Sequence, residues 1–224
     1  MNNTVSIQES EARIPQSNIA RVYDWNAPVY DIWGTLTESK ARERAIELAE
    51  IRDGLTIFEV AVGTGLAFEK IVRCNPHGKN TGIDLSEGML ARARKRLQPY
   101  GNADYTLSKG SAFELPSANG TIDILFNNYM FDLMTSADID RALNEFRRVL
   151  KPGARLVLVN MTQGERPGSR LYERIYRLFP ALMGGCRGVT LSERLRDHGF
   201  TVVTREYRQQ MLFPSEIILA TKAG

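Results

Sequence analysis

Thr56-Ile57-Phe58-Glu59-Val60-Ala61-Val62-Gly63-Thr64-Gly65 is the stretch on which the fold turns. Thr56 to Val62 is rich in β-branched and apolar side chains and reads as a strand, and Ala67 to Arg73 beyond it reads as a short helix. Gly63 and Gly65 sit at the strand-to-helix turn between them, where the lack of a Cβ lets the backbone approach a ligand. Nineteen residues beyond Gly65, a second strand-like run, Lys79 to Asp84, ends in a carboxylate at the position from which both hydroxyls of a ribose can be accepted. A glycine turn alone is weak evidence. Joined to an acid at this spacing, it points to a nucleotide-type cofactor on a parallel sheet.

Outward from that unit the alternation continues. Ser86 is placed to cap a helix that runs through Gln98 and is stopped by Pro99 and Gly101. Tyr105 to Leu107 reads as a third strand and Thr121 to Asn128 as a fourth. Ser136 then caps a helix with Ile139, Leu143, Phe146 and Leu150 on its apolar face, which Pro152-Gly153 ends. Arg155 to Met161 is a fifth strand, continuous in Leu and Val as a strand buried on both faces should be. Leu191 to His198 is a further helix, and Phe200 to Tyr207 and Met211 to Thr221 are strand-like runs suited to an antiparallel ribbon at the sheet edge. Upstream, Asn18 to Ile32 and Glu38 to Ile51 are helical patterns. The expected architecture is α/β: a Rossmann-like, seven-stranded, mostly parallel sheet with a C-terminal antiparallel strand and helices on both faces. One domain spans 1–224, divided into an N-terminal helical lid (1–52), a cofactor-binding core (53–161), a substrate-lid insertion (162–190) and a closing helix with ribbon (191–224).

Composition narrows the function. The 224 residues are 43% hydrophobic and 25% charged, a globular balance, and the net charge of +3 demands no nucleic-acid partner. The longest run without Asp, Glu, Lys or Arg is nine residues, as in Leu156 to Gly164, far short of a membrane span. Met1 to Glu11 lacks the cationic and apolar regions of a signal peptide, so a cytoplasmic address is expected. Cys74 and Cys186 read as two buried thiols, and no Cys/His cluster suggests a metal. His77, in a turn, and His198, before Gly199, read as surface or helix-capping residues rather than bases.

Two cofactor classes compete for the glycine turn. A nicotinamide enzyme wants a third glycine where Phe68 stands, which weakens the oxidoreductase alternative. S-adenosylmethionine carries no pyrophosphate, and its cationic centres favour an acid such as Glu59. Together with Glu59 to Gly65, the stretches Gly82-Ile83-Asp84-Leu85-Ser86-Glu87-Gly88-Met89-Leu90, Asp123-Ile124-Leu125-Phe126 and Phe146-Arg147-Arg148-Val149-Leu150-Lys151-Pro152-Gly153 resemble the class I S-adenosylmethionine-dependent methyltransferases. Within them the chain is similar to the UbiE-like group, named for ubiquinone and menaquinone biosynthesis. The resemblance implies that Glu59, Ala61, Gly63 and Gly65 line the methionine and ribose side of the cofactor and that Asp84 holds the ribose hydroxyls. It also implies that Leu85, Met89, Ser111, Ala112 and Asn127 complete the site. Ala61 departs from the family at a common glycine. Ser111 stands where an Asp usually accepts from the adenine, so a weaker, uncharged acceptor replaces a charged one.

Methyl transfer from a sulfonium asks the protein mainly for alignment and exclusion of water. The resemblance puts Tyr23 and Tyr30, in an aromatic N-terminal run, on a lid where they assist or position the acceptor; Tyr129 and Tyr172 are further candidates. From Glu165 to Arg196 there are seven Arg and three Glu, and over 168–183 Arg170, Arg174 and Arg177 share a face opposite Leu171, Ile175, Leu178 and Leu182. That pattern suits transient contact with an anionic membrane surface, or a lid helix packed apolar side down. The expected acceptor is small and hydrophobic or lipidic: a quinone-precursor-like ring carbon or a phosphatidylethanolamine-type amine. A protein that binds the cofactor without transferring its methyl group remains the second alternative.

Overall fold

The computed structural model describes residues 38–162, 188–210 and 213–224. Tyr23, Tyr30, Tyr172 and the basic pattern over 168–183 lie outside the described residues, as does Cys186. In chain order the elements are α1 (38–49), β1 (Thr56–Val60), α2 (Leu66–Cys74), β2 (Lys79–Asp84), α3 (Glu87–Leu97) and β3 (Tyr105–Lys109). They continue with β4 (Ile122–Asn128), α4 (Ser136–Val149), β5 (Leu150–Met161), α5 (Ser192–Asp197), β6 (Phe200–Gln210) and β7 (Phe213–Lys222).

The strands form one seven-stranded sheet in the order β3-β2-β1-β4-β5-β7-β6. β1 to β5 pair in parallel, whereas β7 is antiparallel to both β5 and β6, as the alternating pattern and closing ribbon predict. The order reverses between β1 and β4, which opens a crevice at the carboxyl ends of those strands. Each face is covered by helices. Ala41, Ala45 and Ala49 of α1 pack with Phe68 and Ile71 of α2 and Leu97 of α3 against Ile57, Ile124 and Val159. On the other face Ile139, Leu143 and Phe146 of α4 and Leu195 of α5 pack against Leu125 and Leu158.

Four details differ from the sequence reading. β1 ends at Val60 because Ala61 turns to φ +60, out of the β region. α4 is capped by Thr135, whose hydroxyl accepts from the Asp138 amide at 3.2 Å and donates to its carboxylate at 2.7 Å, a reciprocal cap that Ser136 cannot make. Pro152-Gly153 does not itself end α4, which stops at Val149; it lies inside β5 at an irregularity where the pairing jumps from Ile122↔Leu150 to Ile124↔Arg155. Cys74 is exposed at the end of α2 rather than buried. His77 is a surface residue beside Asp53 and His198 is the C-cap of α5, as expected.

Candidate functional site

The turn after β1 is built on alternate left-handed residues: Ala61 at φ +60, Gly63 at +56 and Gly65 at +84. The two glycines serve different neighbours. A Cβ on Gly63 would meet nothing within 4 Å, so that position opens on a cleft, whereas one on Gly65 would lie 3.1 Å from Ala93 of α3. Gly65 therefore lets α2 and α3 close on each other. Ala61 carries the cost that a glycine would avoid. The left-handed conformation costs an L-residue about 1–2 kcal/mol, against about 0.5–1 kcal/mol for the extra chain entropy of glycine. Ala61→Gly is accordingly expected to raise stability by up to about 1 kcal/mol in thermal unfolding; a loss would show that the packing of the methyl against the core outweighs the strain.

Asp84 lies at the end of β2 across the turn. Its Oδ2 accepts from the Gly63 amide at 2.8 Å and its Oδ1 from the Ser86 amide at 2.9 Å, so the carboxylate braces the glycine turn against the start of α3. Ser86 caps α3 as predicted, accepting from the Met89 amide at 3.0 Å. Of the residues proposed from the sequence, Ala61, Gly63, Asp84, Leu85, Met89, Ser111 and Ala112 border a single cleft. Leu85 is nearly half exposed there, an apolar side chain awaiting cover. Ser111 accepts from the Phe113 amide at 3.3 Å, which leaves its hydroxyl proton available.

Glu59 and Asn127 lie behind the cleft wall. Glu59 is 1% exposed; its Oε1 accepts from Asn128 Nδ2 at 2.9 Å and its Oε2 has no hydrogen-bond partner among the described residues. Burial pushes its carboxyl up to about 8, against the pull of Asn128 and Arg42. Asn127 donates to the Val60 carbonyl at 2.9 Å. Residues that the sequence reading missed complete the cleft: Phe113, Asn128, Met130, Leu133 and Met134, joined by Tyr129. Arg141 stacks over Phe113 at 4.6 Å and fixes that ring at the rim. Tyr129, at φ +54, spends its hydroxyl on Ser215 at 2.8 Å.

Phe68 bears on the cofactor class. Its ring fills the space above Gly82, where an added Cβ would lie 3.2 Å from Phe68 and 2.6 Å from Val62. The helix after the turn thus stands off the sheet by an aromatic ring, at the position where a third glycine would let it approach.

A family profile described as "Methyltransferase domain" matches residues 57–153, from β1 to the irregularity of β5. Demethylmenaquinone methyltransferase of Desulfitobacterium hafniense (strain Y51) is 30% identical over 164 residues, 69% of this chain and 63% of that protein. The ubiquinone/menaquinone biosynthesis C-methyltransferase UbiE of Hahella chejuensis (strain KCTC 2396) is 29% identical over 158 residues, 68% of this chain and 63% of its own. The chain thus spans just under two thirds of the length of both relatives. Among solved structures, the [4+2]-cyclase SpnF superposes with a TM-score of 0.73 at 20% identity, covering 96% of this chain and 99% of its own. Geranyl diphosphate methyltransferase in complex with GPP and sinefungin gives 0.66 at 17%, with 83% and 79% covered. At such identities the likeness shows the fold alone, and that fold hosts a cyclase as well as methyltransferases. Residues 57–153 are thus similar to a methyltransferase domain, and the chain is similar in sequence to quinone-named methyltransferases of the UbiE-like group, on a fold that it shares with them.

Proposed function

We propose that the protein transfers the methyl group of S-adenosylmethionine to a small, apolar acceptor of the quinol type. The observation that carries this reading is the composition of the cleft: a polar end at Gly63 and Asp84 runs into an apolar end of Met130, Leu133 and Met134. The polar end suits a ribose and the apolar end a hydrophobic ring, and the relatives are named for quinone methylation. The residues fit the cofactor. Asp84 offers carboxylate oxygens to the ribose hydroxyls, the open side of Gly63 admits its chain, and Leu85, Met89 and Ala112 flank the base. Glu59, buried behind the cleft wall with an unmade hydrogen bond, would compensate the cationic amino-acid end from there. The bound cofactor supplies a methyl group already activated on a sulfonium. The chain's own work is to hold the acceptor in line and keep water out.

Charge at Glu59 makes this reading testable. In the free protein burial keeps the carboxyl protonated up to pH about 8, and a bound cation favours the ionised form. Cofactor binding is therefore expected to release a proton and to tighten as pH rises toward 8, then level off. The same upward shift means that folding stability declines as pH climbs from the ordinary carboxylate range through about 8. Calorimetric titration with S-adenosylmethionine, S-adenosylhomocysteine and NADH, in buffers of different ionisation enthalpy, reads both points. Saturable binding of the first two with proton release supports the proposal, and a steeper pH dependence is expected for the charged ligand. Binding of NADH alone overturns it. Cofactor binding with no methyl transfer to any reduced quinone would favour the non-methylating alternative. No helix among the described residues is long and apolar enough to cross a membrane.

A further inference from the structure

At the carboxyl ends of β4 and β5 the structure buries three polar side chains that the cofactor does not explain. Asp132, Asn160 and Thr162 are 1%, 0% and 2% exposed. Asp132 Oδ2 accepts from the Met161 amide at 3.1 Å, which sets the carboxyl at the end of β5, beside the positions of Asn160 and Thr162. Among the described residues its Oδ1 has no hydrogen-bond partner, nor has either amide atom of Asn160 or the hydroxyl of Thr162. Asn160 alternates with Leu158 on one sheet face, and Leu158 belongs to the same packed cluster as Ala112, Met130 and Met134 of the cleft wall. Asn127, opposite Leu158 on β4, leaves its own Oδ1 without a partner on that face. The turn that carries Asp132 also carries Leu133, which borders the cleft.

Buried polar groups are almost always paired, because each unmade bond costs the full desolvation of the group. A core built for stability alone would place Leu and Val at these sites. The chemistry of the trio narrows what it awaits. Asn160 and Thr162 each offer a donor and an acceptor. Burial, with Glu38 and Glu216 close by, pushes the Asp132 carboxyl well above its usual range. The other charges packed around it are paired: Glu38 with Arg42 at 3.8 Å and Glu216 with Arg205 at 2.7 Å. A phosphate or carboxylate would meet Glu38 and Glu216. An ammonium has no acceptor for the Asn160 amide protons. A ring hydroxyl, neutral and able both to donate and to accept, matches all three.

We propose that Asp132, Asn160 and Thr162 form the subsite that holds a ring hydroxyl of the methyl acceptor, next to the apolar end of the cleft. This rests on the quinol reading above and adds the residues that recognise the oxygen. The test uses the full chain saturated with S-adenosylhomocysteine, with 1,4-dihydroxynaphthalene kept reduced as the probe and 1,4-dimethoxynaphthalene as a control that cannot donate. Asn160→Leu and Thr162→Val are compared with the wild type. Each is expected to weaken the dihydroxy probe by about tenfold, the worth of roughly one hydrogen bond. Binding of the dimethoxy control and of S-adenosylhomocysteine should stay within about twofold, the scale of a contact left unchanged. The readout that a structural role would not give is the melting temperature of the ligand-free variants, expected to hold or rise because an apolar group replaces an unsatisfied one. If both variants melt lower or fail to fold, the polar atoms are satisfied structurally and the subsite is overturned. If both bind the dihydroxy probe as tightly as the wild type, the subsite falls while the quinol reading stands. If the wild type binds S-adenosylhomocysteine but not the probe, both fall.

Discussion

Asp84→Ala is expected to weaken S-adenosylmethionine binding by roughly ten- to a hundredfold while leaving the protein folded, since hydrogen bonds to a charged group are worth about 1.5–3 kcal/mol. The carboxylate has two jobs in the geometry. In the proposed function it accepts from ribose, and it already accepts from the Gly63 and Ser86 amides at 2.8 and 2.9 Å. Alanine removes both, so the glycine turn loses its brace at the moment it must present an ordered surface. Asp84 is only partly buried, so water can reach the two freed amides and the fold survives. Asp84→Asn is nearly as harmful. Its NH2 must face either the Gly63 or the Ser86 amide, donor against donor, and the charge is gone. Calorimetry on both variants, with a melting curve for each, checks this. Unchanged affinity in a folded Ala variant removes Asp84 from the cofactor site.

The legible parts of this molecule are those decided within a few residues of themselves. β2 runs from Lys79 to Asp84 as read, because the Pro76-His77-Gly78 turn and the Ser86 cap punctuate it on both sides. The rim of the cleft was legible for the same reason: Gly63, Asp84, Ser111 and Ala112 lie at or just past strand ends, where an α/β sheet presents its ligands. Ala61 was misread as strand because its left-handed φ comes from the turn around it and leaves no mark on an alanine. Thr135 and Ser136 are both able caps, and the choice fell to the one with an acid three residues on. Met130, Leu133 and Met134 carry no mark in the sequence that sets them apart, because a short 3-10 turn at 131–133 brings them to the cleft. Asn160 sits near the end of a Leu/Val-rich strand and Thr162 just past it, and only the observed burial distinguishes them from ordinary polar residues at a strand end.

That 3-10 turn depends on Phe146, and Phe146→Ala is expected to cost about 3–5 kcal/mol of stability, the range for emptying a buried aromatic site. Phe146 is fully buried on the inner face of α4, with Ile139 and Leu143, and its ring meets that of Phe131 at 5.8 Å and 58°. Domains of this kind hold about 5–15 kcal/mol in all, so the variant stays mostly folded but melts lower by roughly 10 °C, at about 2–4 °C per kcal/mol for this size. The functional consequence is lopsided. Phe131 lies between Met130 and Asp132 and loses its partner, so the apolar end of the cleft and the Asp132 carboxyl lose their support. Gly63 and Asp84 stand on the ends of β1 and β2, and their bonds run to each other and to Ser86 rather than to α4. Below the variant's melting range, acceptor affinity should therefore fall by more than the affinity for S-adenosylhomocysteine. Phe146→Leu, which refills most of the volume, should recover most of both. A Phe146→Ala protein that melts with the wild type would mean that α4 does not carry the packing described. One that loses both affinities equally would mean that the two ends of the cleft move as a single unit, with Phe146 supporting the whole site through the sheet.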